Sequence, residues 1–181
     1  MYELLVLSIL LTRNESGYRL RKIMEDSFMV ERRVSNGVLY PLLQRLSDQD
    51  YVQIQLMENH ARKEKIISIT KRGRERVHEL LEEPIKKDMN YEETLHLKLT
   101  LIDISSLSYQ AFFYKEYIHY FEEVQQKKRT LREHLLEKYQ GAPNTALILQ
   151  SALSSIDLDI EIAETRIQFA KRKIENLNNE S

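Results

Sequence analysis

The stretch RRVSNGVLYPLLQRL (Arg32 to Leu46) holds a glycine and a proline four positions apart inside a pattern that otherwise reads as a helix. Leu39, Leu42, Leu43 and Leu46 fall at i, i+3, i+4 and i+7, the spacing of one buried stripe, while Tyr40, Pro41, Gln44 and Arg45 turn the other way. Proline at position 41 gives up the hydrogen bond to the carbonyl of residue 37 and presses its ring toward it, and residue 37 is a glycine, with no Cβ in the way. Ser35 or Asn36 can cap the start. The helix therefore has an ordinary buried face and an outer face that is smooth, aromatic and basic.

Working outward, two helices precede it. Leu4 to Leu11 is a continuous apolar run, and Gly17 to Ser27 follows Ser16 as a cap, with Leu20, Ile23 and Met24 as its inward face. Downstream, Val52, Ile54 and Leu56 alternate with Gln53 and Gln55, and Ile67 and Ile69 repeat that period after the polar turn Met57 to Lys63. Period two on both sides of a polar turn predicts a hairpin with a charged tip. Thr70 can cap a fourth helix bearing Val77, Leu80 and Leu81, which Pro84 ends. Helix, helix, helix, hairpin, helix is the order of a winged helix-turn-helix, whose third helix enters the major groove of DNA while the wing follows the backbone.

After Pro84 the texture changes. KKDMNYEE is a polar connector, Leu95 to Ile102 is a short apolar helix, and two long helical segments follow, about 109–139 and 145–177, separated by Gly141, Ala142 and Pro143. The expected fold is mainly α, with a winged domain over residues 1–84 and a long-helix dimerisation domain over 85–181. In the last segment Ala146, Leu149, Leu153, Ile156, Ile160, Ala163, Ile167, Ala170, Ile174 and Leu177 alternate steps of three and four, a heptad seam. The preceding helix carries Tyr117, Phe121, Val124, Leu131 and Leu135, interrupted by Lys128. Such a seam either folds back on the chain as a hairpin or closes on a second copy. Two long helices cannot cover all their apolar faces alone, so a homodimer is expected, with Leu149, Leu153, Ile156, Ile160, Ala163, Ile167, Ala170 and Ile174 at its interface.

Composition fits this organisation. The 181 residues are 42% hydrophobic and 30% charged, with 4 glycines and 3 prolines, which favours long helices over a sandwich or barrel. Without cysteine there are no disulfides or thiolate metal sites. The run Leu4 to Leu11 has no basic leader and is too short to cross a bilayer, which takes roughly 20 residues, so a cytoplasmic protein with no membrane association is expected. Net charge is −1, but residues 1–76 hold 14 Lys/Arg against 10 Asp/Glu, and residues 77–181 hold 13 against 18. The basic half is the winged half.

Particular residues then connect the chain to a known family. Ser16-Gly17-Tyr18 with Leu20, Ser35-Asn36-Gly37-Val38-Leu39-Tyr40-Pro41-Leu42-Leu43 with Arg45-Leu46, and Ile69-Thr70 with Gly73 resemble the PadR family of bacterial transcriptional regulators. Weaker likeness runs through Leu95 to Leu101 and Leu107-Ser108, where longer members carry a helical dimerisation region. Asp50 stands where the family commonly has glycine, and Ile66 and Ile67 stand where it often has an aromatic. The resemblance implies a DNA-binding regulator, most often a repressor, acting as a homodimer on a palindromic operator and released by a small aromatic or phenolic effector.

On this reading Gly37 lets the helix approach the DNA and leaves room for the Pro41 ring, Tyr40 bonds a phosphate, and Gln44 or Arg45 reaches a base edge or the backbone. Arg33, Ser35 and Asn36 lead into that helix. Arg62, Lys63 and Lys65 suit the phosphates beside the wing, with Asn59 and His60 at its tip. Ser16, Tyr18 and Arg19 open the second helix, whose free amides can hold a phosphate. Tyr40 packing on the wing, Tyr18 in the core and Lys63 and Lys65 as a solvated face are the plainer alternatives. Phe113, Tyr114, Tyr117 and Phe121 crowd one stretch that could line an effector pocket or simply be core.

Catalysis finds little support. Only Glu93 with His96 has the glutamate-x-x-histidine spacing of metal bundles, and one such pair is not a site. Nucleophile elbow, phosphate loop and dinucleotide fingerprint are all missing, so neither an enzyme nor a cofactor is expected. A winged protein-interaction adaptor without DNA binding is the alternative.

Overall fold

The computed structural model describes residues 1–28, 32–59, 62–139 and 146–180, without the side chains of residues 58, 59, 62–64 and 180. It divides into two compact units, Met1–Ser105 and Ser106–Ser181.

The first unit follows the expected order: α1 (Tyr2–Thr12), α2 (Gly17–Asp26), α3 (Asn36–Asp48), the hairpin Val52–Asn59 and Arg62–Ile69, and α4 (Lys71–Glu82). It adds a strand of two residues, β1 (Glu15–Ser16), too short to show any periodicity in sequence. The hairpin strands are therefore β2 and β3, and the antiparallel sheet runs β1-β3-β2, with Ser16 opposite Ile66 and Val52 opposite Ile69. Val6, Leu7, Leu20, Met24, Leu39, Leu46, Val52, Ile67, Val77 and Leu81 form one core. Removing the side chain of Leu39 or Leu46 to alanine there costs about 2–5 kcal/mol.

The sequence puts the domain boundary after Pro84, but the first unit continues through α5 (Tyr91–Leu101) and a 3-10 turn over Ile102–Ile104. Leu97 and Leu101 pack on the core built by the earlier helices, which makes α5 part of the winged unit.

Two backbone junctions hold α3 and α4 to the wing. After α3, the Tyr51 amide donates to the Leu46 carbonyl at 2.8 Å and the Asp50 amide to that of Ser47 at 3.0 Å, and Asp50 has φ 59°. This is a Schellman ending with aspartate in the left-handed position that glycine usually fills. At α4 the Thr70 hydroxyl accepts from the Gly73 amide at 2.9 Å, a cap that fixes the first turn. A Cβ on Gly73 would collide with the Tyr51 carbonyl oxygen, so only glycine lets the helix and the wing meet there.

The second unit is an antiparallel pair, α6 (Leu107–Lys138) and α7 (Ala146–Glu180). Ile156, Ala163, Ile167 and Ala170 of α7 are buried, as are Phe113, Tyr114, Tyr117 and Phe121 of α6. The interruption at Lys128 is explained by Asp159, which its ammonium reaches at 2.6 Å across the hairpin; Arg132 bonds Asp157 at 2.7 Å and Gln125 bonds Glu164 at 2.8 Å. These polar pairs set the register.

The hairpin corrects two expectations. The seam from Leu149 through Leu153, Ile156, Ile160, Ala163, Ile167 and Ala170 to Ile174 is buried or half-buried within one chain, the fold-back alternative, because α6 offers a matching aromatic stripe. Phe113, Tyr114, Tyr117 and Phe121 are between 2% and 6% exposed, so they pack as hairpin core.

Candidate nucleic-acid interface

The thirteen residues of α3 sort cleanly by face. Leu39, Leu42, Leu43 and Leu46 are buried, and Gly37, Pro41, Gln44 and Asp48 form the exposed stripe opposite them. Gln44 donates its amide to Asp48 at 2.8 Å. Ser35 stands at the N-cap position without a side-chain cap bond, and its carbonyl accepts from Val38 and Leu39. A Cβ on Gly37 would meet only the Ser35 hydroxyl, at 3.8 Å. The Pro41 ring is not among its neighbours, so the fold does not require glycine to make room for proline. The absent side chain leaves space on the outer surface instead.

Tyr40 is 53% exposed and leans toward α2. A Cβ on Gly17 would lie 3.3 Å from its ring and 3.4 Å from its hydroxyl. The ring thus rests over the first residue of α2, and Gly17 leaves the room for it, a role sequence periodicity does not reveal.

At that end of α2 the expected residues separate. Tyr18 is 64% exposed, not core, with the Arg21 guanidinium 5.6 Å from its ring centre. Arg21, overlooked in the sequence reading, also donates to Asn36 at 3.1 Å and so ties α2 to the start of α3. Arg19 is exposed and pairs at 3.5 Å with the buried Glu15, which Arg13 holds at 2.5 Å. Ser16 is a correction: it is 4% exposed and its hydroxyl has no hydrogen-bond partner among the described residues, because the strand β1 pulls it into the sheet. It neither caps α2 nor reaches solvent.

Arg45 is exposed but already paired. It bonds Glu3 at 2.9 Å, and Glu3 also holds Arg76 at 3.0 Å, which in turn reaches Glu79 and Glu83. Hydrogen bonds to Glu79 and Glu3 raise the Arg76 pKa further above its usual value. Arg45 thus belongs to an ion network joining α1, α3 and α4, not to the outward stripe; a network of residues so far apart in sequence leaves no local signature.

Arg33 and Lys65 are exposed, Lys65 standing opposite Leu56 on the wing. Asn59, Arg62 and Lys63 fall on β2 and β3 with side chains outside the description, and His60 lies outside the described residues. Among the described residues, no cluster of His, Cys, Asp or Glu could hold a metal ion, and no helix is long and apolar enough to cross a membrane.

Three core-packed helices, a hairpin wing and an outward third helix define a winged helix-turn-helix domain. Residues 6–79, within the winged unit, match the Transcriptional regulator PadR-like family. No curated protein matches the chain. Among solved structures it is similar to Bacillus subtilis PadR in complex with operator DNA, at 17% identity over 93% of this chain and 98% of that one, TM-score 0.44. It is also similar to the PadR-like transcriptional regulator BC1756 from Bacillus cereus, at 21% identity over 99% of both chains, TM-score 0.39.

Proposed function

We propose that this protein is a transcriptional repressor that binds a palindromic operator as a homodimer, with α3 of each copy in the major groove. One observation carries the reading: Gly37, Pro41 and Gln44 form an exposed stripe on α3, with open space over Gly37. Glycine there allows backbone-close contact with a base edge or phosphate, and the Gln44 carbonyl is an acceptor for a base. Tyr40 and the Ser35 hydroxyl suit adjacent phosphates, and Arg33, Lys65, Arg62 and Lys63 supply sequence-independent attraction.

A homodimer supplies two copies of α3 for half-sites roughly 34 Å apart. With the seam of α7 closed inside the chain, the dimer face we propose is the opposite side of that helix, where Leu147, Leu158 and Ile162 are 80%, 56% and 43% exposed and share one stripe.

Quantitative footprinting on the DNA upstream of the protein's own gene tests the proposal. A protected two-fold symmetric site, with binding that falls steeply from about 50 to 200 mM salt, is the expected result. The exposed Tyr18, Tyr40 and Leu56 around a groove of about 500 Å3 would equally suit an apolar protein partner. Absence of any protected site, with salt-insensitive association, would establish that adaptor instead.

A further inference from the structure

Ser35 stands where the loop after α2 becomes α3, with extended backbone at φ −72° and ψ 153°. Of the serines in the chain it alone has arginine both two and three positions before it, Arg33 and Arg32. Val34 between them is buried and its amide donates to the Glu25 carboxylate at 2.8 Å, so its neighbours Arg33 and Ser35 turn outward, and both are exposed. Arg32 bonds the side-chain carbonyl of Asn90 at 3.1 Å. That acceptor is neutral, and a carboxylate arriving from outside displaces it, because the charge-assisted bond is the stronger.

Where the hydroxyl sits matters as much as what precedes it. The Ser35 Oγ is the atom that a Cβ on Gly37 would approach, at 3.8 Å. A group attached to that oxygen therefore stands beside the open space over Gly37, at the N-terminus of α3.

We propose that Ser35 is a phosphorylation site, modified by a serine/threonine protein kinase whose substrate cleft carries carboxylates for arginine, and that the phosphate closes α3 to DNA. In the transfer the Oγ attacks the γ-phosphorus of ATP and forms the new P–O bond. The bond from that phosphorus to the oxygen shared with the β-phosphate breaks, ADP leaves, and the hydroxyl proton passes to the catalytic base of the kinase. The product suits its place. A dianion at a helix N-terminus meets the open amides of the first turn and the positive end of the helix dipole. Arg33, and Arg21 bonded to the adjacent Asn36 at 3.1 Å, bring cations to the same end. Toward DNA the effect is opposite, since the new charge repels the backbone and its bulk takes the space over Gly37. That loss of binding rests on the proposed function; the modification does not.

Thr130 is the competing acceptor, because Lys127, Lys128 and Arg129 come before it. It lies within α6, whose helical backbone withholds the extended segment that brings a hydroxyl in line with the γ-phosphate, and Lys128 is already held by Asp159.

The test incubates the folded full chain with ATP and the catalytic subunit of cyclic-AMP-dependent protein kinase, a probe that selects arginine at those two positions. Peptide mapping by mass spectrometry is expected to place the phosphate on Ser35, with none there in Ser35→Ala and transfer at least about tenfold slower in Arg33→Gln. The phosphorylated chain should melt at a higher temperature than the unmodified one and bind operator at least about tenfold more weakly, and a phosphatase should reverse both changes. Transfer to Thr130 instead, transfer to Ser35 only after unfolding, or the same rate in Arg33→Gln would overturn the site. A raised melting temperature with undiminished operator binding would overturn the closure of α3. Phosphate on Ser35 of a chain that protects no operator would leave the site standing and count against the proposed function alone.

Discussion

Gly37 is open on its outer side, so adding a methyl group there costs the fold nothing. Alanine is the better helix former by about 0.5–1 kcal/mol. Gly37→Ala should therefore leave thermal stability unchanged or slightly raised while it lowers operator affinity about tenfold or more, because the new methyl occupies the space left for DNA. Thermal unfolding and footprinting on the same sample check both halves, and lost stability with retained affinity would refute the interface. Gly73 predicts the reverse pattern. Its Cβ would run into the Tyr51 carbonyl, so Gly73→Ala should destabilise by about 2–3 kcal/mol, read from denaturant midpoints. At Asp50, with φ 59°, glycine relieves a left-handed strain, and Asp50→Gly should stabilise by about 0.5–1 kcal/mol.

At the scale of elements, the buried Lys98 fastens the end of α4 to α5, donating to the Leu81 and Glu83 carbonyls. Its pKa is about 8 in the folded chain and 10.5 as an ordinary lysine, so between these values the unfolded chain holds the proton more tightly. The penalty for burying the charge is complete below pH 8 and is relieved as pH rises toward 10.5. Stability of the natural chain, measured relative to Lys98→Met, should rise across that window; a flat or falling difference would show that Lys98 is not desolvated. The elements themselves were largely legible in the sequence. Leucine spacing in α3, alternation in the hairpin, and the Thr70 cap are local patterns that place their elements, but the strands run further than the alternation does: Met57–Asn59 and Arg62–Lys63, read from sequence as a polar turn, are paired strand. The strand Glu15–Ser16 was not legible, because two residues have no period and pair only with a strand fifty positions onward.

At the scale of the molecule, the long helices decide whether the proposed regulator can engage two half-sites. Placing Glu at both Leu158 and Ile162 puts charge on the outward stripe of α7 while leaving the hairpin interior untouched. The double variant should run as a monomer in light scattering, with its helical content retained; a persistent dimer would place the interface elsewhere. Heptad spacing showed that α7 buries a stripe, but spacing does not name the partner helix. Here α6 covers that stripe, drawn in by Phe113, Tyr114, Tyr117 and Phe121, the same aromatics whose crowding in sequence also suggested a ligand pocket.

By itself the sequence determined the order of helices, hairpin and helix, the buried and outward faces of α3, and the likeness to the PadR-like family, since all three reside in short-range residue patterns. Only the tertiary structure decided the rest. It buried Ser16, turned Arg45 to Glu3, showed Gly37 facing open space instead of the Pro41 ring, closed the α7 seam on α6, and buried Lys98 against the Leu81 and Glu83 carbonyls. The physical reason is common to these cases: each depends on which distant backbone or side chain arrives next to the residue, and local periodicity carries no record of that.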